Sequence, residues 1–265
     1  QLDQTTGLLL GVTDFEKGAG VKTYNGLEPR LGANIKLNET TSIKASYARL
    51  NQYLQNVYNS TTPLPTSRWK TSDSNIKPQI SDTYGLGIYK NLANNAVELG
   101  LEGYYRDSKN NLTFKPGADF FLEDFDRPHV VNSTINFEGD KYNTWSFNFT
   151  GQTGRPYTVA NSVFKLENID VPIFIERNNA RLRPYHRLDF SWNIKYGEKV
   201  NKRWIGDWTF TIYNVYSRRN PFNIYYSQRQ AGVDADVFLG SPLGSYELSI
   251  LNSPLFALTY NFVFQ

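Results

Sequence analysis

The chain has 265 residues, 28 basic against 25 acidic, no cysteine and no methionine. Zero cysteine rules out disulfides and thiolate metal sites, and a net charge of +3 is too balanced to point to nucleic acid. No apolar run approaches the roughly eighteen residues a transmembrane helix needs, yet a mean hydropathy of −0.51 leaves a membrane β-barrel open, because only alternate residues of its strands meet lipid.

In chain order, residues 1–15 form a candidate strand, followed by a Gly-rich loop around Gly18 and Gly20. Over 27–37, Leu31, Ala33, Ile35 and Leu37 alternate with Gly32, Asn34 and Lys36. The short turn Asn38-Glu39-Thr40 leads into 41–53, with Ile43, Ala45 and Tyr47 on one face. A long polar loop covers 54–77. Strand 78–90 presents Tyr84, Leu86 and Ile88, and Asn91–Asn94 turns into 95–108, where Val97, Leu99, Leu101 and Tyr105 oppose Glu98, Glu102 and Tyr104.

After a loop at 109–127, strand 128–138 turns at Gly139 and Asp140 into 142–153, with Trp145, Phe147 and Phe149 aligned. Loop 154–184 precedes a long hairpin. Its first strand, 185–197, alternates Phe190, Trp192 and Ile194 with Asp189, Ser191, Asn193 and Lys195. Its second, 207–227, carries Trp208, Phe210 and Ile212, with a bulge expected at Asn220-Pro221 because proline removes a ladder donor. After loop 228–244, the last strand aligns Phe256, Leu258, Tyr260, Phe262 and Phe264.

About ten strands and almost no helical periodicity result. Side chains of a strand alternate between faces, and here one face is apolar and strongly aromatic. Connections alternate short and long, as the periplasmic turns and extracellular loops of outer-membrane barrels do. The expected fold is therefore all-β, a transmembrane antiparallel barrel wall. With short turns at the periplasm, the last strand descends and Gln265 lies on the periplasmic side.

Several stretches carry a family resemblance: PYHRLDFSWN…WTFTIYNVYSRRNPFNIYY, the terminal PLFALTYNFVFQ, and the earlier YNGLEPRLG and SNIKPQISD. Together they resemble the C-terminal barrel of Bacteroidetes-type TonB-dependent outer-membrane receptors, in the branch related to SusC and to receptors with a carboxypeptidase-regulatory-like domain. The resemblance implies a 22-stranded barrel of which residues 1–265 are the C-terminal half. The plug domain, through which the TonB complex acts, has no counterpart in this sequence. Family members also carry a further hairpin where Glu123-Asp124 here meets Phe125, so residues are expected to be absent near 124–125.

The resemblance further implies active transport of a nutrient (glycan, peptide or metal chelate) into the periplasm. Implied partners are a SusD-like surface lipoprotein or other envelope subunits, membrane lipid and lipopolysaccharide, and the barrel-assembly machinery. Tyr260, Phe262 and Phe264 resemble the C-terminal signal that machinery reads, although Gln265 follows them. Two alternatives stay open: a non-transporting barrel that scaffolds a larger assembly, and a soluble secreted β-sandwich.

No enzymatic role, metal or cofactor is expected. His129 and His186 read as rim residues, and Glu98 and Glu102 as lumen-facing carboxylates, together with Asp189, Asn193 and Lys195. Tyr53, Tyr58 and Trp69 are candidate substrate-loop aromatics whose milder reading is an interfacial girdle. Asp119, Glu123, Asp124 and Asp126 form an acidic loop without calcium-loop spacing. Arg177, Arg181, Arg183 and Arg187 form a basic cluster suited to a polyanion such as lipopolysaccharide.

Overall fold

The structure, a computed structural model, describes residues 16, 19–20, 22–57, 68–74, 76–110, 126–166, 169–175, 178–195, 204–227 and 243–264. The strand expected at 1–15, Gly18, Tyr58, the acidic positions Asp119, Glu123 and Asp124, the 124–125 junction, Arg177 and Gln265 lie outside these residues. Strands β1 (Arg30–Asn38), β2 (Thr41–Gln52), β3 (Leu54–Val57), β4 (Arg68–Thr71), β5 (Gln79–Leu92) and β6 (Val97–Lys109) come first. Then follow β7 (His129–Glu138), β8 (Asn143–Gln152), β9 (Pro156–Tyr157), β10 (Ser162–Leu166), β11 (Ile169–Ile173) and β12 (Ala180–Arg181). The chain continues with β13 (Tyr185–Lys195), β14 (Trp204–Tyr213), β15 (Asn223–Ser227), β16 (Gly244–Leu248) and β17 (Leu255–Phe264).

Nine of these make one antiparallel sheet in the order β1-β2-β5-β6-β7-β8-β13-β14-β17, each strand beside its predecessor in the series. Among the described residues the sheet is open, with β1 and β17 as its edges. The short turns have local causes. Asn38 Oδ1 accepts from the Thr40 amide at 3.0 Å, and Ala93, Asn94 and Asn95 all lie in the left-handed region (φ 50°, 54° and 69°). Asp140 Oδ1 accepts from the amides of Tyr142 and Asn143 at 2.7 and 2.8 Å. These three turns share one end of the sheet, and the long connections 53–78, 110–128, 153–184 and 214–254 share the other.

Register aligns side chains of one character across strands. One face carries the row Ile35–Ile43–Ile88–Leu101 and the row Ile135–Phe147–Phe190–Ile212–Phe256. The opposite face carries Asn34–Lys44–Gly87–Glu102–Asn132–Thr150–Arg187. No second layer covers the apolar face among the described residues. Leu86, Leu101 and Phe256 are 58%, 51% and 64% exposed, and among the described residues the buried apolar side chains Val130, Leu182 and Pro156 lie off this face.

Aromatic rows bound this face. Toward the long connections Tyr47, Tyr84, Tyr105 and His129 stand side by side, with ring centroids 5.1, 6.4 and 5.1 Å apart. One step beyond them, Arg49 pairs with Asp82 at 2.8 Å. Toward the short turns Phe137 stacks on Trp145 at 5.3 Å, and Trp208 lies 4.6 Å from Tyr260. From His129 to Phe137 the strand rises roughly 26 Å, which becomes about 20 Å when a strand is tilted by some 40°.

The hairpin departs from the sequence expectation. Its second strand starts at Trp204 and ends at Tyr213, not at 227. Asn214 is fully buried and adopts φ 57°. Its amide donates to Asp189 Oδ1, while its side chain bonds the Arg218 carbonyl and amide. That network turns the chain out of the sheet, so the bulge expected at Asn220-Pro221 is instead a break. Asn220 substitutes for the lost ladder, exchanging bonds of 3.0 and 2.9 Å with the His186 amide and carbonyl. Residues 223–227 pair with β16 in a separate two-stranded sheet. The connections expected to be plain loops also hold paired strands, β3 with β4, β10 with β11 and β9 with β12.

Candidate functional site

All five residues expected to face a lumen stand on the polar side of the sheet, but they do not converge. Glu98 and Glu102 belong to β6, while Asp189, Asn193 and Lys195 belong to β13, three places along the sheet order. Glu102 accepts from the Tyr89 hydroxyl, whose ring lies 4.2 Å from the Lys44 ammonium, and Glu98 accepts from Asn136 at 3.4 Å. The two glutamates are four residues apart on one strand, roughly 13 Å. That exceeds the separation of paired glycosidase carboxylates.

On β13 the polar residues form a ladder with their neighbours. Asp189 accepts from Arg187 at 3.0 Å, and Ser191 meets Thr211 at 3.1 Å. Asn193 donates to Asp207 and Thr209 at 2.6 and 2.8 Å, and Asn261 joins at Asp207. Lys195 is opposite Asp207 in register. Arg187 and Asp207 complete this ladder: Arg187 meets Asp189 two residues along the same strand, whereas cross-strand register brings Asp207 to Asn193 and Asn261.

The same polar side opens, near the long connections, into a cleft of about 830 Å³. Arg30 and Arg106 stand on a single cross-strand row, Arg30–Ala48–Thr83–Arg106. Small residues therefore floor the space between two guanidinium groups whose backbones are roughly 14 Å apart, three strand spacings. Arg127 enters from the connection before β7, and Gln52, Gln79 and Gln152 add uncharged lining. A second cavity of about 690 Å³ shares Thr83, Tyr104 and Arg106 with the first and runs over Gly32, Ser46, Gly85 and Gly87. Glycine leaves room for neighbouring side chains at two of these positions: a Cβ on Gly85 would sit 2.5 Å from Ser46 Oγ, and one on Gly87 3.1 Å from the Tyr89 ring.

The charges around the cleft are unevenly committed. Arg49 is held by Asp82, and Asp126 is held by Arg181. Arg127 donates to the neutral Gln152 amide oxygen at 2.6 Å. Arg106 lies 6.0 Å from the Tyr104 ring centroid, and Arg30 has a 3.9 Å contact with Glu28. None of these three arginines was singled out from the sequence. The alternation places Arg30 and Arg106 on polar faces, but only the register puts them opposite each other.

The basic cluster expected to meet polyanions has a different use. Arg181 pairs with Asp126, Arg183 with Glu247 and Arg187 with Asp189. Glu247 raises the Arg183 pKa further above its ordinary value. The Arg183–Glu247 pair and Arg155, which donates to the Phe222 carbonyl and to Asn223, bind connection 153–184 to connection 214–254, while Arg181 ties 153–184 to Asp126 before β7. Ala160 adds a bond to the Tyr226 hydroxyl at 2.9 Å.

Of the candidate loop aromatics, Trp69 is 65% exposed on β4 and Tyr53 lies between β2 and β3. Both thus belong to one small hairpin off the end of β2. His129 and His186 sit at the end of the apolar face beside Tyr105 and Phe149, and His186 Nδ1 bonds the Tyr216 hydroxyl at 2.7 Å. Tyr260 and Phe262 lie 5.9 Å apart along β17, and Phe264 is in register with Trp204.

No protein-family model matches the sequence, and no curated protein matches it. Among solved structures, the chain is similar to the ferric-catecholate import receptor Fiu of E. coli K12 in a closed crystal form. The identity is 12%, the TM-score 0.36, and the match covers 88% of this chain and 34% of that one. The chain thus spans about a third of that structure's length.

Proposed function

We propose that this chain is part of the wall of a transmembrane β-barrel in the outer membrane of a Gram-negative bacterium, where it serves TonB-dependent import of a nutrient into the periplasm. One observation carries this reading: a nine-stranded sheet has a continuous apolar face that nothing covers among the described residues, while its opposite face is lined by polar ladders. Burying a large apolar side chain fully contributes about 1.5–3 kcal/mol, and among the described residues the apolar side chains of this face are at most partly buried. Lipid supplies the missing apolar surroundings, and the antiparallel ladder satisfies the backbone within them. The aromatic rows and the Arg49–Asp82 pair beyond them match the girdles and wet rim of such a wall.

The sequence resemblance extends the reading to a 22-stranded SusC-related receptor of Bacteroidetes type, with the short turns and the C-terminus on the periplasmic side. The polar face lines the lumen, a plug elsewhere in the protein engages the TonB complex, and a SusD-like lipoprotein is a partner at the outer surface. The role is passage, with no catalytic step.

Carbonate washing of membranes containing the full-length protein tests the wall: the protein should stay until detergent is added, and release by carbonate alone overturns the reading. Deletion of the gene tests import. Uptake of a nutrient should fall, and the loss should be matched in a TonB-deficient strain. Uptake unaffected by TonB, from a protein that resists carbonate, favours a scaffold.

A further inference from the structure

We propose that the polar cleft between β1 and β6 binds a small oxyanion carrying two or more carboxylate or phosphate groups. As a statement about cargo this rests on the import reading; as a statement about binding it rests on the cleft alone. Arg30 and Arg106 face one row across the small residues Ala48 and Thr83, and Arg127 lines the same space. A guanidinium has five donors in a planar fork suited to carboxylate and phosphate oxygens. Arg127 commits one bond to a neutral amide. Arg106, set beside the Tyr104 ring, makes no ion pair among the described residues.

The nearby acids leave Arg106 and Arg127 without an ion pair among the described residues. Asp126 is engaged by Arg181, and Glu28 meets Arg30 in a long, exposed pair at 3.9 Å, which contributes little. Three cations facing one recess repel one another and concentrate anions there. An uncharged glycan would leave their charge uncompensated, whereas a ligand with two separated anionic groups spans Arg30 and Arg106 and still meets Arg127. Gln52, Gln79 and Gln152 then supply secondary hydrogen bonds around it.

Calorimetric titration of the detergent-solubilised full-length protein tests this at low ionic strength, with citrate, inorganic pyrophosphate and maltotriose as probes. Citrate, pyrophosphate or both should bind, more weakly as salt is added, and maltotriose should not. Binding of citrate alone or pyrophosphate alone identifies the carboxylate or the phosphate as the recognised group. R106Q and R127Q should each weaken binding roughly tenfold, as expected for a hydrogen bond to a charged group, and R183Q, outside the cleft, should leave it unchanged. Wild-type protein that binds neither anion overturns the proposal, whatever the uptake assay shows. So does binding of maltotriose in their place, or unchanged anion affinity in folded R106Q and R127Q.

Discussion

The nine-stranded wall and the joined outer connections are held in opposite ways. The wall repeats one unit, an antiparallel ladder with apolar side chains on one side and polar ones on the other. The connections 153–184 and 214–254 contain short strands that cannot stand alone, and they are fixed by specific side chains reaching far along the sequence. Arg155 contacts Phe222 and Asn223, Arg183 contacts Glu247, and Asp170 accepts from the Leu243 amide. The wall depends on its surroundings, whereas the connections depend on individual partners. Substitutions should therefore act by face in the first region and by residue in the second.

The largest effect should come from a charge at mid-height on the apolar face. L101R is expected to cost about 2–4 kcal/mol in lipid, whereas N132R, on the polar face of the adjacent strand, should stay within about 0.5 kcal/mol. Urea unfolding from vesicles measures both. Equal effects on the two faces would erase the distinction between them.

Next comes Asn214, where the connection leaves the wall. N214A removes two side-chain bonds at a fully buried position and should destabilise by about 1–3 kcal/mol. Proteolysis should show cleavage first in 214–227, with the wall intact. Uniform loss of protection across the sheet would show that the two regions are one cooperative unit.

These two predictions also mark what the sequence could tell. Strands β1, β2, β5 to β8, β13 and β17 are legible because period-two alternation reports a face directly, as Trp145-Ser146-Phe147-Asn148-Phe149 does. The end of β14 was not legible. Ile212 and Tyr213 continue the alternation, and Tyr225 and Tyr226 resume it, so the pattern bridges a break set by Asn214, Asp189 and Arg218. The polar faces of Glu98, Glu102, Asp189, Asn193 and Lys195 were readable for the same reason as the strands. The cleft was not, because bringing Arg30 opposite Arg106 requires the register of four strands. The arginines at 181, 183 and 187 looked like a free basic cluster because their carboxylates are distant in sequence or, for Asp189, were assigned to the lumen alone.

A smaller effect is expected at Arg183. Its side chain is 59% exposed and that of Glu247 29%, so R183Q should cost at most about 1 kcal/mol, and less in high salt. A loss that salt does not diminish would mean that the pair acts through packing.

The smallest concerns Asp140 in the turn before β8. The amide of Tyr142 and then the side chain of Asn143 lower its pKa from the ordinary carboxylate value. A depressed folded pKa means the turn's contribution is fully present above about pH 4, the unfolded value, and is lost as pH falls through the folded one. Wild type should weaken relative to D140N over that interval, and a pH-independent difference would assign the turn to other bonds.

The uncovered apolar face can be interrogated most directly through its tryptophans. Variants of the full-length protein that keep one tryptophan at a time, reconstituted in vesicles of brominated lipid, separate wall from connection. Fluorescence from Trp145, Trp192 and Trp208 should be quenched by the lipid bromine and resist aqueous iodide, while Trp69 should show the reverse. Wall tryptophans that iodide quenches as readily as Trp69, and bromine does not, would contradict a lipid-facing sheet.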